Sequence, residues 1–349
     1  MKRKFYVSLI LLVCMLFAVA CSSTSKPAAP DNSQGASQNQ PSKEAPAQKP
    51  VKLKLVSFLA MDHQLTKDIV PMWKKKIEEA TGGAVTVEWV GGPESIPVTD
   101  QFDAVKNGIV EVGFAATAYY AQLMPEANSI QFSPFTPAEE RKNGYFDYMN
   151  ERLNKQGIVY GGRWLSELPF YFWSNSKVDS FDGMKGLRVR SNPTYHPILL
   201  KIGINPIEIA PGDVYTALER KMIDGFGFPL IGPRNSGWVE HTKYIIDEPF
   251  LNQNTTILIN KKVFDSLTPE IQKKMTEATA QFEQDMIAYF KKMNESEWKE
   301  IEKKGVNRIK LSKEDSAKFQ KAVNDSYWEM LQKVTPDQVG KLKELFTKK

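Results

Sequence analysis

The chain has 349 residues, with 46 Lys and Arg, 41 Asp and Glu and 3 His, which gives a formal net charge of +5 at pH 7. Its two cysteines are Cys14 and Cys21, so a chain cut before Cys21 keeps no second thiol, and disulfides and cysteine catalysis are excluded from its folded part. Loss of residues 1–20 removes three basic residues, and the near-neutral remainder excludes a nucleic-acid partner.

The first residues predict an export signal with a lipid anchor. Basic residues at positions 2–4 precede an apolar run over residues 5–20, which is too short to span a bilayer comfortably and suits a signal-peptide core. The run ends in AVAC, which resembles the bacterial lipobox, where the leader is cut and Cys21 receives lipid. The alternative is a plain secretory signal with an incidental cysteine. Residues 21–50 are predicted to be a lipidated cysteine and a flexible tether rich in Ser, Pro and Ala.

From residue 51 the chain alternates strands with helices, which predicts mostly parallel sheets flanked by helices and hence an α/β fold. A first lobe is predicted over 51–170, with strands over 52–58, 85–90 and 110–116 and helices over 62–81 and 99–107. The same order returns over 171–255, with strands over 187–191, 207–210 and 223–228 and helices over 193–202 and 212–221. This repetition predicts a second lobe of related topology.

Two segments are predicted to carry the chain between the lobes, residues 169–175 outward and residues 255–264 on return. Paired crossings form a hinge, and a hinge allows the cleft between the lobes to close. The last part, 256–349, is predicted to hold the return strand and a long helix along both lobes. That helix runs from Pro269 to Lys304 with one apolar stripe. Further helices begin near residues 313 and 336.

In open parallel sheets, ligands bind beyond the carboxyl ends of the strands. The expected cleft residues are therefore Leu59–His63, Glu94, Ala115–Tyr119 (with Ala116 and Tyr119 as site residues), Arg190, Ala210 and Phe226–Phe228. His63 is a candidate ligand contact, with capping of the first helix by Asp62 as the alternative reading of that segment. Glu94 is a candidate polar contact, or else an exposed loop residue. His196 and His241 have no metal-ligand spacing, and no metal or cofactor is expected.

Several blocks resemble one known family, the DctP-type substrate-binding proteins of tripartite ATP-independent periplasmic (TRAP) transporters. They are GLRVR at 186–190, VYTALER at 214–220, IDG at 223–225 and LTP at 267–269. The resemblance implies a two-lobed periplasmic-binding-protein-like fold of class II type. It also implies a non-enzymatic, monomeric receptor for a small organic carboxylate that meets the membrane subunits of a TRAP transporter. Such a receptor works outside the cytoplasm, here anchored to the outer face of the membrane.

In that family the last Arg of the first block clamps the substrate carboxylate, which implies this role for Arg190. Its position at a strand's carboxyl end agrees, because a guanidinium matches a carboxylate with two parallel N–H donors. The alternative is a structural Arg paired with Glu167 or Asp213. Arg188, two residues further from the strand end, is expected to face solvent or pair within its lobe.

The chain also departs from the family pattern. Phe228 stands where many members have an Asn, and no clear counterpart exists for a second family Arg. These differences suggest a single charged clamp beside an aromatic wall of Phe172, Trp173, Phe226 and Phe228, with burial in the core as the alternative. Such a wall favours an aromatic or alkyl monocarboxylate.

Two other functions stay open. The first is a receptor of the same shape for an ATP-driven transporter or a sensor kinase. The second is a surface hydrolase or lyase, which needs an acid–base pair or an activated nucleophile. The expected cleft offers only Asp62, His63 and Glu94 for that chemistry.

Overall fold

The computed structural model describes residues 49–166 and 168–347. The predicted leader, Cys21 and nearly all of the predicted tether lie outside the described residues, and so does Glu167. The described residues form two mixed sheets with helices and separate apolar cores. The predicted two-lobed α/β fold is therefore confirmed.

The first lobe is built on a five-stranded sheet in the order β2-β1-β3-β10-β4. Its strands are β1 (Val51–Ser57), β2 (Val85–Gly91), β3 (Val112–Ala115), β4 (Ile158–Arg163) and β10 (Thr256–Asn260). Strand β1 pairs in parallel with β2 and β3, whereas β10 runs antiparallel to β3 and β4. The helices are α1 (Ile69–Ala80), α2 (Gln101–Lys106), α3 (Pro137–Asn143) and α4 (Tyr145–Asn154). Because apolar cores lie on both faces, β3 is buried along its whole length, as expected within a parallel sheet.

The first helix starts later than the sequence predicts. The expected start was Asp62, but α1 begins at Ile69, so Asp62 does not cap it. Residues 61–68 form turns instead, and the Thr66 hydroxyl donates to the carbonyls of Ala60 and His63. Pro71 gives the physical reason: it lies in the first turn of α1, where a missing N–H breaks no hydrogen bond, whereas a helix from Asp62 would hold it in its interior.

The second lobe is built on a six-stranded sheet in the order β11-β9-β5-β8-β6-β7. Its strands are β5 (Leu168–Ser174), β6 (Arg188–Ser191), β7 (Asn205–Glu208), β8 (Gly225–Pro229), β9 (Tyr244–Gln253) and β11 (Asn307–Ile309). Strand β6 lies between β7 and β8 and is parallel to both, and β5 lies antiparallel between β8 and β9. Two helices, α5 (His196–Ile202) and α6 (Val214–Glu219), belong to this lobe. The second predicted strand–helix series is confirmed, with β7 beginning two residues earlier than expected.

The chain crosses between the sheets twice, and the two crossings lie side by side. The first lies between the end of β4 and the start of β5, and the second joins β9 to β10. The Trp164 N–H donates to the Thr255 carbonyl at 3.2 Å, and the Thr255 N–H donates to the Leu165 carbonyl at 3.1 Å. The outward crossing thus precedes the predicted segment 169–175, which is β5 itself. The hydrogen-bonded crossings mark the place of the predicted hinge, which stays a prediction.

Helix α8 (Pro269–Lys303) extends along both lobes. Its first part places Phe282 and the rest of the predicted stripe in the core of the first lobe. Ile301, near its end, is buried in the core of the second lobe. At about 1.5 Å per residue the helix is on the order of 50 Å long. The short α7 (Lys261–Asp265) precedes it, and α9 (Lys313–Val334) and α10 (Pro336–Thr347) follow as predicted.

A Phe282→Ala variant is expected to lower the free energy of unfolding by roughly 3 to 5 kcal/mol, because the fully buried ring leaves a cavity that can close only in part. Urea denaturation followed by tryptophan fluorescence measures this difference. Lys273→Ala, on the exposed face of the same helix, is the control and should stay within about 0.5 kcal/mol of the parent. Equal stability of the two variants would contradict the described packing of α8.

Candidate functional site

Two neighbouring cavities lie between the lobes, where the sequence places the cleft. The larger has a volume of about 600 Å³ and the smaller about 500 Å³, and Val98 and Ala210 line both. Loops after the strands of both sheets supply their walls. The larger cavity is lined, among others, by Leu59, Asp62, His63 and Glu94 of the first lobe and by Asp213, Tyr215 and Trp238 of the second.

Arg190 lies on β6 close to its carboxyl end and is 1% exposed. Its Nε donates to the Ile209 carbonyl at 2.8 Å, and its Nη1 donates to the Tyr195 hydroxyl at 2.8 Å. The Tyr195 hydroxyl in turn donates to the Gly227 carbonyl at 2.9 Å. These contacts fix the guanidinium in position with uncharged partners. Ile209 lines the smaller cavity, whereas Arg190 itself lines neither cavity, so the guanidinium lies directly behind the wall of the cleft.

The Arg190 guanidinium has no carboxylate partner among the described residues. No Asp or Glu oxygen of the described chain lies within 4.0 Å of it, and Asp213 is exposed at the edge of the larger cavity. The Tyr119 hydroxyl of the first lobe lies beside the guanidinium, and burial raises the pKa of Tyr119, so this phenol stays neutral. Burial likewise raises the pKa of Tyr195 to about 12. A buried cation with only neutral partners favours an anion beside it.

Arg188, two residues earlier on the same strand, shows the opposite arrangement. Its side chain is 46% exposed and forms an ion pair with Asp224. The Arg188 Nε donates to Asp224 Oδ2 at 3.0 Å, and the Arg188 Nη2 donates to Asp224 Oδ1 at 2.7 Å. This is the lobe-internal ion pair that the sequence suggests. The two arginines of the RVR segment therefore differ in burial and in charge balance.

His63 enters the larger cavity from the first lobe. Its Nδ1 accepts the Leu65 N–H at 3.1 Å, so the neutral ring carries its proton on Nε2, for which no hydrogen-bond partner exists among the described residues. The ring meets Phe228 of the second lobe edge-on, with centroids 6.4 Å apart. Burial lowers the pKa of His63 from 6.5 to about 4, against an opposing effect of Asp62. His63 is thus an uncharged donor at neutral pH.

The other predicted polar and small site residues also lie at the cleft. Glu94 is exposed at the larger cavity, and its carboxylate accepts the Gly92 N–H. Tyr119 lines the smaller cavity. Ala116 is buried and lines a narrow space of about 20 Å³ between the lobes, together with Tyr195.

The predicted aromatic wall is not formed by Phe172, Trp173 and Phe226. All three are buried in the core of the second lobe, where Trp173 stacks on Phe226 with centroids 5.2 Å apart, and none lines the described cavities. Both faces of the strands that carry them are covered, so an aromatic side chain there packs inside the lobe. Phe228 is likewise buried and lines neither cavity, but alone of the four it contacts a cavity-lining residue of the first lobe, His63.

Trp238 and Tyr215 are aromatic residues of the cavity that sequence reasoning did not assign to it. Trp238 packs on Phe228 with centroids 4.9 Å apart and also lines the larger cavity. Trp238 also belongs to the apolar core of the second lobe. Its second contact depends on how the segment after β8 folds back, and no local pattern signals that.

Comparison with known proteins identifies the family. Residues 56–333 match the model of the DctP family, described as bacterial extracellular solute-binding protein, family 7. The chain belongs to this family. The family resemblance read from the sequence is thereby confirmed.

Individual relatives of this DctP-family chain are distant. An uncharacterised protein of Haemophilus influenzae is 30% identical over 200 residues, which cover 52% of this chain and 59% of that protein. A monocarboxylate 2-oxoacid-binding periplasmic protein of a Nostoc species is 21% identical over 234 residues, which cover 61% of each chain. A TRAP periplasmic solute-binding protein of Desulfovibrio salexigens, solved with bound orotic acid, superposes with a TM-score of 0.76 at 18% identity. The superposed part covers 84% of this chain and 97% of the D. salexigens chain.

Arg163 is a second buried arginine of this DctP-family protein, and unlike Arg190 it is neutralised. It pairs with Glu140, its Nη1 donates to Asn254 Oδ1 at 2.9 Å, and its backbone N–H donates to Glu283 at 2.7 Å. Arg141 also pairs with Glu283, at 2.8 Å. The cluster joins α3, α8 and the end of β4 directly before the outward crossing. It therefore fixes the chain at the point where the outward crossing begins.

Among the described residues, no helix is both long and apolar enough to cross a membrane.

Replacement of His63 by Asn is expected to remove a pH dependence of stability. Since the pKa of His63 falls from 6.5 to about 4 on folding, the unfolded chain binds the proton more tightly. The stability contributed by the neutral ring is complete above pH 6.5 and is lost as the pH falls towards 4, by up to roughly 3 kcal/mol. Asn keeps an acceptor for the Leu65 N–H. Urea titrations of both proteins at pH 7 and near pH 4.5 should show the larger loss in the parent, and equal losses would contradict the assignment.

Proposed function

We propose that this chain is an extracytoplasmic receptor that captures a small organic acid between its lobes and delivers it to a TRAP-type secondary transporter. The observation that carries the proposal is the Arg190 guanidinium, buried directly behind the wall of the smaller cavity without a described carboxylate partner. The Nostoc relative named for monocarboxylate 2-oxoacids and the D. salexigens protein with orotic acid support a carboxylate as the anion.

Capture couples to closure because the cleft residues come from both lobes. Arg190 belongs to the second lobe, whereas Tyr119, beside its guanidinium, and His63, against Phe228, belong to the first. A carboxylate on Arg190 that also touches the first lobe binds the closed form more tightly than the open form. Such a ligand shifts the population to the closed form. A transporter that recognises the closed form then receives only loaded receptor.

Arg190→Ala is expected to weaken carboxylate binding by roughly 2 to 5 kcal/mol, because a buried carboxylate loses its charged partner. The probes are 2-oxo acids, orotate and aromatic monocarboxylates, screened by thermal shift on protein without the lipid anchor and then measured by calorimetry. A ligand at about 100 times its dissociation constant stabilises by about 2.7 kcal/mol.

Arg188→Ala is the matched control. Arg188 lies two residues away on the same strand, but its side chain is half exposed and pairs with Asp224. It should bind like the parent. Arg190→Lys should also lose most affinity, because an ammonium cannot offer two parallel donors. Parent affinity in Arg190→Ala, or stabilisation of the parent by no carboxylate, would refute the proposal.

The proposed receptor performs no chemistry on its ligand. His63 Nδ1 is already engaged by the Leu65 N–H, and its low pKa makes the ring a poor general base. Glu94 is exposed and hydrogen-bonded within its own loop. No pair of these residues forms the hydrogen-bonded nucleophile and base that a hydrolase needs.

We further propose that Cys21 carries a lipid that holds the receptor at the outer face of the membrane. The support is the AVAC sequence at the end of the predicted leader and the polar tether that follows. A receptor that meets the same carrier repeatedly gains from a tether, which raises the local concentration.

A Cys21→Ser variant is expected to leave the membrane fraction. Without the thiol no lipid can be attached, and the tether has too few apolar residues to bind a bilayer by itself. Immunoblots of membrane and released fractions measure the distribution. Cys14→Ser, in the predicted leader, is the control and should stay with the membranes. Retention of Cys21→Ser in the membrane at the parent level would contradict the anchor.

A further inference from the structure

A narrow space of about 20 Å³ lies between the lobes and adjoins the smaller cavity. Ala118 of the first lobe and Asn192 of the second line both of them. Tyr195 and Gln253 of the second lobe also line the narrow space. Its volume is enough for a single group of the size of a water molecule. The narrow space can therefore receive one small substituent of a ligand that lies in the cleft.

Gln253 brings an unpartnered polar group to this space. The residue is 8% exposed, and its Oε1 is buried without a hydrogen-bond partner among the described residues. Phe170 on β5 pairs with Leu251 on β9, and both residues line the narrow space. Side chains two residues apart on a strand lie on the same face of the sheet, so Gln253 presents its amide to the same space.

Neighbouring polar groups are engaged elsewhere. The Gln131 Nε2 donates to Thr117 Oγ1 at 3.0 Å and to the Asn254 carbonyl at 2.6 Å, and the Gln131 Oε1 accepts the Asn254 N–H at 3.0 Å. The Thr194 hydroxyl donates across the lobes to Asn128 Oδ1 at 3.2 Å. A buried acceptor without a donor costs free energy. The donor that completes Gln253 must therefore come from outside the described chain, from water or from a ligand.

The position of the narrow space next to Arg190 favours the ligand as this donor. Tyr195, which lines the space, accepts a hydrogen bond from Arg190 Nη1 at 2.8 Å. Asn192 follows Arg190 by two residues, and Ala118 directly precedes Tyr119, which lies beside the guanidinium. An acid with its carboxylate beside Arg190 thus has the narrow space next to the first carbons of its chain. A hydroxyl on these carbons is small enough to enter and can donate to Gln253 as a water molecule would.

We infer that Gln253 is a specificity-determining residue that accepts a hydrogen bond from a hydroxyl close to the ligand's carboxylate, so that hydroxy monocarboxylates bind in preference to the matching oxo acids. The inference rests on the proposed function, because it needs a carboxylate beside Arg190. An oxo oxygen can only accept hydrogen bonds, so it would face the Gln253 oxygen without a proton between them. The inference narrows the alkyl or aromatic monocarboxylate suggested by the predicted aromatic wall.

Calorimetry with matched pairs of acids tests this inference on the unaltered receptor. The pairs are lactate and pyruvate, 3-hydroxybutyrate and acetoacetate, and mandelate and phenylglyoxylate, with each hydroxy acid measured as single enantiomers. In the pair that binds most tightly, the better enantiomer of the hydroxy acid should bind at least about tenfold more tightly than the oxo acid, because the oxo acid leaves a buried acceptor unpaired. An oxo acid that binds as tightly as its hydroxy partner in that pair would overturn the inference, and so would a failure of all the hydroxy acids to bind.

Gln253→Leu removes the acceptor and keeps a side chain of similar size. The preference for the hydroxy acid should shrink by at least about fivefold, because the hydroxyl then has no acceptor in the narrow space. A merely structural role of Gln253 would weaken both acids of a pair alike and leave their ratio unchanged, and this result would overturn the inference. Gln284→Leu makes the same change on the exposed face of α8 and should keep the parent ratio.

These outcomes separate the inference from the proposed function. Oxo acids that bind as tightly as their hydroxy partners, and that lose affinity in Arg190→Ala, would refute the role of Gln253 and leave the receptor proposal standing. Binding of the hydroxy acids that is unaffected by Arg190→Ala would refute the clamp and thus both.

Discussion

A guanidinium held in the protein interior with only neutral described partners constrains the rest of this structure. Arg190 is 1% exposed, and its hydrogen bonds go to two backbone carbonyls and a phenol. Such a charge costs free energy that the apolar cores of the lobes must offset. In return the guanidinium is fixed before any ligand arrives, so binding loses little side-chain entropy. Its place next to Tyr119 of the opposite lobe makes an anion at this point a link between the lobes.

The connections between the lobes determine how such a link can act. The two crossings are hydrogen-bonded to each other at Thr255, and the cluster around Arg163 and Glu283 holds the first of them. Two helices also connect the cores: α8 reaches the second core with Ile301, and α9 places Phe319 in the second core and Leu331 in the first. Closure must therefore be accommodated at the crossings and along these helices, in the manner of a hinge.

Local sequence patterns were sufficient for most of the framework. Alternating strands and helices, the stripe of α8 and the place of Arg190 at a strand end follow from periodicity and from the rule on parallel sheets. The patterns failed where tertiary packing decides. Phe226 and Trp173 are apolar on strands buried on both faces, so nothing in the sequence tells core from cleft. The pairing of Arg163 with Glu140 and Glu283 joins residues far apart in the chain, and the start of α1 depended on reading Pro71 as a first-turn residue.

A structure of the receptor with a bound carboxylate tests the central claim most directly, through the distances from the ligand's oxygens to the Arg190 nitrogens. The account predicts a carboxylate paired with the guanidinium at about 2.7 to 2.9 Å, with the rest of the ligand in contact with residues of the first lobe. A bound ligand whose carboxylate lies elsewhere, with Arg190 neutralised by a carboxylate of the protein, would contradict it.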